Sequence, residues 1–454
     1  MELFIELLPV LMFVALALLL FTGFPVAAVL GGIGIGFAFF ALGIGEFREA
    51  WIGLIVQRVY GGIVENLVLV AIPMFIYMGT MLEKSGVAND LLHALQVLLR
   101  RVPGGLALSV TLMGTIMAAT TGIIGASVVM MTLLALPVML DRGYNVPLAT
   151  GTIAASGTLG ILIPPSIMLV IMGDLLSISV GTLFLAAIFP GLILACLYFI
   201  YIYITCHIRP SLAPPLPGDE GPSTRGELWA MIFKSFIPPV LLIVLVLGSI
   251  FAGFATPTEA SGVGAAGATL LAIFNRRLSF SVLKDVLERS ALTGAMLFFI
   301  FVGATAFAYV FRRLGGDELV VAFVQAFGLG DWGILFILLS VVFFLGFFFD
   351  WIEITLIVLP VFSPIVALLD FGAHVEAAWV VPWFAILVAV NLQTSFLTPP
   401  FGFALFYMKG VAPPSVRIQA IYRGIVPFVL LQLIGLLLVL GFPEIALYLP
   451  SLIE

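Results

Sequence analysis

The sequence predicts an all-α polytopic membrane protein made of two inverted repeats, with about ten full spans, two helical hairpins and two broken helices. Three observations carry this. Of 454 residues, 63% are hydrophobic and only 9% charged, with a mean hydropathy of +1.28; soluble domains carry about 25% charged residues. A stretch with a proline pair occurs twice, as Gly160-Ile161-Leu162-Ile163-Pro164-Pro165-Ser166 and as Ser395-Phe396-Leu397-Thr398-Pro399-Pro400-Phe401-Gly402. Proline removes a backbone donor and clashes with the preceding turn, so each pair breaks a helix at membrane depth. Finally, Pro25 and Pro257 lie 232 residues apart, and Pro164 and Pro399 lie 235 apart. A near-constant offset marks an internal repeat.

Composition also excludes. The apolar runs are too long for a membrane β-barrel, whose strands alternate over roughly ten residues. The net charge of −6 is spread over loops, and nothing is basic enough for nucleic acid. Cys196 and Cys206 have no metal or redox spacing and read as packing residues. Glu2 and Glu6 stand where a signal peptide would be positive, so the first helix is expected to be retained.

Residues 3–22 form the first span, and Thr22-Gly23-Phe24-Pro25 turns into a Gly-rich second span at 25–44. Small residues there allow close helix approach in lipid. Residues 46–61 mix Arg48, Trp51, Arg58 and Tyr60 with apolar residues, which suits an interfacial helix. A third span covers 62–83, and 87–101 is amphipathic. The apolar block 104–141 reads as a hairpin whose tip, Ala119 to Ser127, is small and hydroxylic; two full spans are the alternative. The broken segment 148–173 and a plain span at 182–206 close a first repeat, 1–206. Residues 207–234 read as a polar, Pro-rich cytoplasmic linker. The second repeat, 235–454, has spans at 236–253 and 259–274, an interfacial stretch at 275–290 and a span at 291–311. A hairpin block follows at 331–370, then a broken segment at 378–410 and a last span at 424–446.

Each half makes five crossings plus one hairpin. Five is odd, so the second half starts on the opposite side and the repeats are inverted. With the N-terminus periplasmic, fourteen Lys and Arg residues fall inside and only Arg48, Arg58, Arg312 and Arg313 fall outside. That bias fixes both termini as periplasmic.

The two hairpin tips and two helix breaks are the points where chemistry is expected. A half-helix N-terminus suits a carboxylate, and unwound carbonyls with hydroxyls offer hard oxygens for Na⁺. Candidate substrate-binding residues are Thr121, Ser166, Asp350, Thr355 and Thr398. Candidate Na⁺ ligands, through hydroxyls or backbone carbonyls, are Thr120, Gly122, Gly125, Ser127, Gly160, Pro164, Thr394, Ser395, Pro399 and Gly402. Any single hydroxyl can instead bond its own helix at i−4. Asp350 and Glu353 are acidic at membrane depth, three apart on one helix face. They could bind a cation, carry a proton or be hydrated at the interface. Glu259 reads instead as N3 of a capping box that starts at Thr256 with Pro257 at N1. His93, His207 and His374 form no cluster, and no nucleophile–base pair or Walker motif is visible, so neither an enzyme nor an ATPase is indicated.

Leu159 to Ser166, Ala71-Ile72-Pro73-Met74-Phe75, Ala255 to Ala260 and Leu397 to Gly402 resemble the large membrane subunit of tripartite ATP-independent periplasmic (TRAP) transporters, over nearly the whole chain and in order. The resemblance implies a bacterial inner-membrane, Na⁺-coupled importer of an organic acid that works by an elevator motion. Hairpins and broken helices would form the transport domain; the Gly-rich spans, third spans and interfacial arms would form the scaffold. It also implies two partners, a periplasmic substrate-binding protein and a small four-helix membrane subunit on a separate chain. One rival is a stand-alone sodium/divalent-anion symporter. Another, a quinone-binding respiratory subunit, lacks the paired histidines that class usually shows.

Overall fold

The computed structural model describes residues 2–121, 124–215, 225–326, 328–400 and 402–453. The fold is all-α and polytopic. The first half contains α1 (Glu2–Glu6), α2 (Leu8–Leu20), α3 (Val26–Gly43), α4 (Glu49–Val59), α5 (Ala71–Lys84) and α6 (Val87–Leu98). Its hairpin is α7 (Gly105–Thr121) and α8 (Ile124–Asp141), its broken segment α9 (Val146–Thr158) and α10 (Ile167–Leu176), and its last helix α11 (Val180–Ile208). The second half contains α12 (Arg225–Phe251), α13 (Pro257–Phe274), α14 (Phe280–Arg313) and α15 (Gly316–Ala326). Then come a hairpin of α16 (Asp331–Leu345) and α17 (Trp351–Val366), a broken segment of α18 (Val380–Ser395) and α19 (Phe403–Val411), and α20 (Ile418–Gly441) with the short α21 (Glu444–Ser451).

Eight stretches of helix among the described residues are long and apolar enough to cross a bilayer. This is fewer than the expected number of spans, for a physical reason. The first broken segment is divided between two short helices, the first span is interrupted at Leu7, and α13 is too rich in small and polar residues to qualify, while one of the eight, Ile124–Asp141, is a hairpin arm. Both proline pairs sit between half-helices, and both Pro164–Pro165 and Pro399–Pro400 are cis.

Three boundaries differ from expectation. Residues 275–290 and 291–311 are one 34-residue helix, α14, rather than an interfacial stretch and a span. Ser279 caps it by accepting from the Val282 N–H at 3.2 Å, and no proline interrupts it. Residues 225–234, expected in the linker, are the first turns of α12. The last long helix starts at Ile418 rather than 424. The capping box at α13 is as expected: the Glu259 carboxylate accepts from the Thr256 N–H at 2.8 Å.

Contacts come in pairs related by exchanging the halves. Helix α3 packs on α14, and α13 on α5; α9 packs on α20, and α18 on α11; α8 packs on α19, and α17 on α10. Each half therefore completes the other. Glycines set the closest approaches. A Cβ built on Gly303 would lie 2.3 Å from the Ala27 carbonyl oxygen, and one on Gly34 would lie 2.9 Å from the Ala306 backbone. Likewise a Cβ on Gly151 would lie 2.1 Å from the Gly424 carbonyl oxygen. Backbones this close gain dispersion contacts that a larger residue would prevent, which is how helices associate in lipid.

Gly303→Val should destabilise the α3–α14 pair by about 1–3 kcal/mol through overpacking. A lowered thermal midpoint in detergent checks this, with Gly36→Ala, where nothing lies within 4 Å, as the unshifted control.

Candidate substrate cavity

The tips and breaks meet at one cavity of 420 Å³. Ile124 and Gly125 reach it from the first hairpin, and Ile167 from the first break. Asp350 and Trp351 reach it from the second hairpin, and Phe396, Phe403 and Tyr407 from the second break. The facing wall is α14, through Arg289, Thr293, Met296 and Leu297, with Glu83 at the end of α5.

Four helices run from this cavity: Ile167, Trp351 and Phe403 are the first residues of α10, α17 and α19, Ile124 is the first described residue of α8, and all four line it. Each N-terminus leaves backbone N–H groups without an intrahelical partner and carries about half a positive charge. Arg289 adds a full charge, although Asp285 shares it at 3.0 Å. Lys84 holds the same carboxylate at 2.8 Å. The helix N-termini favour an anion, against the Glu83 and Asp350 carboxylates that share the lining.

Asp350 and Glu353 form a capping box, like Thr256 and Glu259. The Asp350 Oδ1 accepts from the Trp351 N–H at 2.8 Å, and a Glu353 carboxylate oxygen accepts from the Asp350 N–H at 3.1 Å. Both side chains are half-buried. The pattern Asp-x-x-Glu was readable in the sequence as a cap. Asp350 also lines the cavity.

The other candidate residues divide. Gly125 lines the cavity, and a Cβ there would lie 3.0 Å from the Tyr407 ring. Ser127 is buried one turn into α8. Gly160 lies in the 3₁₀ turn Leu159–Ile161. Pro164 is joined by its cis bond to Pro165, as Pro399 is to Pro400. Ser166 caps α10 and donates its hydroxyl to the Ile161 carbonyl. Thr394 and Thr398 donate to the Asn391 and Thr394 carbonyls at 2.7 and 2.6 Å, bonding their own backbone as membrane hydroxyls often do. Gly402 opens α19 with φ +42°, a conformation that favours glycine. The side chains of Thr120 and Thr121, and all of Gly122, lie outside the described residues, as does Phe401.

In the second hairpin and second broken segment several buried polar atoms have no partner among the described residues. These are the Ser395 Oγ, the Thr355 Oγ1, the Asn391 Oδ1 and both amide atoms of Gln393. The Asn391 Nδ2 is satisfied, donating to the Leu339 carbonyl at 2.7 Å. Ser395 packs so tightly on Gly346 that a Cβ at 346 would overlap its hydroxyl. A buried oxygen without a partner costs roughly 1–3 kcal/mol. Ser395 and Asn391, four apart on one face of α18, offer the kind of oxygen that a hard cation takes, whereas Gln393, two residues from each, faces away. Asn391 and Gln393 were not anticipated, though two amides in an otherwise apolar segment are costly and therefore informative. Arg289 was missed because its stretch was read as interfacial. The uninterrupted helical register from Ser279 onward was the available signal.

A family model described as tripartite ATP-independent periplasmic transporter, DctM component, matches residues 13–445. The chain is 32% identical over 391 residues to a C4-dicarboxylate TRAP transporter large permease protein from Pseudomonas aeruginosa, covering 85% of this chain and 87% of that one. It is 27% identical over 436 residues to the sialic acid TRAP transporter large permease protein of Vibrio cholerae, covering 96% of each. It is 28% identical over 445 residues to an ectoine/5-hydroxyectoine TRAP large permease from Ruegeria pomeroyi, covering 97% and 98%. Among solved structures, the YdaH transporter of Alcanivorax borkumensis, described as having an unusual topology, shares the fold: TM-score 0.61, 14% identity, 89% of this chain and 90% of that one. The chain therefore belongs to the tripartite ATP-independent periplasmic transporter family, as its DctM component, the large permease.

Proposed function

We propose that this permease imports an organic acid across the bacterial inner membrane, coupled to Na⁺, after a periplasmic binding protein delivers it. The observation that carries the reading is the convergence of four helix N-termini and Arg289 on one cavity. Relatives named for C4-dicarboxylate and sialic acid transport handle carboxylates, which fit such a site. A tripartite transporter has two further components, which supports a small four-helix membrane subunit and a binding protein as partners.

In this mechanism the N–H groups left open at the starts of α8, α10, α17 and α19, beyond those taken by Ser166, Asp350 and the Phe396 and Gly402 carbonyls, hold the carboxylate, and Arg289 meets it from the opposite wall. The caps at Ser166 and Asp350 keep two of those N-termini in shape. Ser395, Thr355 and Asn391 present oxygens to the coupling ion, with the backbone around Thr394, Pro399 and Gly402 nearby in sequence and Gly160 and Pro164 contributed by the first break. Bound Na⁺ supplies the positive charge that offsets the cost of moving a carboxylate through lipid. Hairpins and broken helices move together as an elevator against α3, α5, α13 and α14. The charge bias supports both termini as periplasmic. The matched contacts support inverted repeats joined near 207–234.

Proteoliposomes holding the permease and its small subunit should take up labelled organic acid only with a loaded binding protein and an inward Na⁺ gradient. Uptake without a binding protein would favour the stand-alone symporter. Ser395→Ala should leave a folded protein but raise the Na⁺ concentration for half-maximal uptake at least tenfold, about 1.4 kcal/mol; an unchanged value removes Ser395 from the ion site. Asp350→Asn keeps an N-cap and should transport within about threefold of the parent, whereas Asp350→Ala should lose about 1 kcal/mol of stability. Thermal melts and initial uptake rates read both.

A further inference from the structure

A second cavity, of 450 Å³, lies at the other end of α14. One face of that helix lines both: Thr293 and Leu297 border the first cavity, and Phe301, Thr305, Ala308 and Arg312 border the second. Steps of three or four residues keep these side chains on one helix face. Arg289 and Arg312 are 23 residues apart on α14, or about 35 Å at 1.5 Å per residue. That exceeds a hydrocarbon core of about 30 Å, so the two arginines mark opposite ends of the span, while the cavities approach within about one turn of α14, between Leu297 and Phe301.

The second cavity is cationic. Arg58, Arg312 and Arg313 line it, together with one acid, Asp174. They are three of the four basic residues that the charge bias places outside. Asp174 is already engaged, because its Oδ1 accepts from the Asn66 Nδ2 at 2.5 Å. Arg312 donates to the Pro360 carbonyl at 2.6 Å and has Asp317 at 3.8 Å, which leaves further N–H donors. The Arg313 guanidinium lies over the Trp51 and Tyr309 rings, 5.0 and 5.4 Å from their centroids. That stacking fixes it without consuming its hydrogen bonds. Arg58 is exposed and has no hydrogen-bond or ion-pair partner among the described residues.

We infer that this outer cavity is a carboxylate-binding site that receives the substrate before the inner cavity does. The inference rests on the organic-acid reading above. It adds a site made by α4 and the C-terminal turns of α14, with α10 and α17 on its other side. Arginine suits carboxylates because its planar fork matches both oxygens. The field of three arginines would also concentrate anions released nearby.

The test uses Thr305→Cys in a Cys196→Ser background, in discs of neutral lipid with the small subunit present. Two methanethiosulfonate reagents, one sulfonate and one trimethylammonium, report the local charge, and succinate is the carboxylate probe. The sulfonate reagent should react at least tenfold faster than the cationic one, and millimolar succinate should slow it. Arg58→Gln should cut the rate ratio at least threefold and weaken protection by succinate. Equal rates for the two reagents, or protection that appears only when phosphatidylglycerol replaces succinate, overturns the site. Because neither Na⁺ nor uptake is read, failure of the coupling scheme shows separately, in the proteoliposomes.

Discussion

A helix that starts inside a bilayer leaves backbone N–H groups with no water to accept from them, as one that stops leaves C=O groups with no water to donate. The rest of this structure depends on how that constraint is met. Two proline pairs and two hairpin tips end helices at membrane depth, and four new helices start there. Their N-termini are gathered on a shared cavity instead of being scattered into lipid. The groups that would be most costly if isolated become the chemistry of the site. Where a local side chain can help it does: Ser166 and Asp350 cap two of the four.

The surrounding packing fixes where that cavity stands. The wall that faces the breaks is α14, and glycines at 34 and 303 seat it against α3 at backbone contact distance. Aromatic residues fill the same seam, with Phe13 edge-on to Phe307 and Phe311 at 5.5 and 5.1 Å. A wall held this way is closely packed against its neighbour along the seam. The elements opposite it are short and broken, each anchored to a partner from the other half, α8 on α19 and α17 on α10. A closely packed track facing a cluster of short helices is the division of labour that the proposed transport motion requires.

Much of this was legible in residues. Composition fixes a helical membrane protein, and the proline pairs locate both breaks because proline acts locally whatever surrounds it. The cap at Thr256 was readable for the same reason. The equivalent Asp350-x-x-Glu353 was read as free acids, because membrane depth outweighed a pattern that the same rule explains. Boundaries drawn from composition alone fared worse. The charged residues 284–289 suggested an interfacial arm, yet helical hydrogen bonding continues through them into the span. Arg289 thus reaches the cavity from a stretch read as surface. Which hydroxyls lack partners was not readable at all. Thr394 and Thr398 bond their own helix while Ser395 between them does not, and only packing against Gly346 decides that.

The most direct measurement of the central claim is a density map of the permease with its small subunit, in Na⁺ and a transported organic acid. The account expects carboxylate density against the N-termini at Ile124, Ile167, Trp351 and Phe403, facing Arg289. Substrate density in any other location, with those N-termini unoccupied, would contradict it.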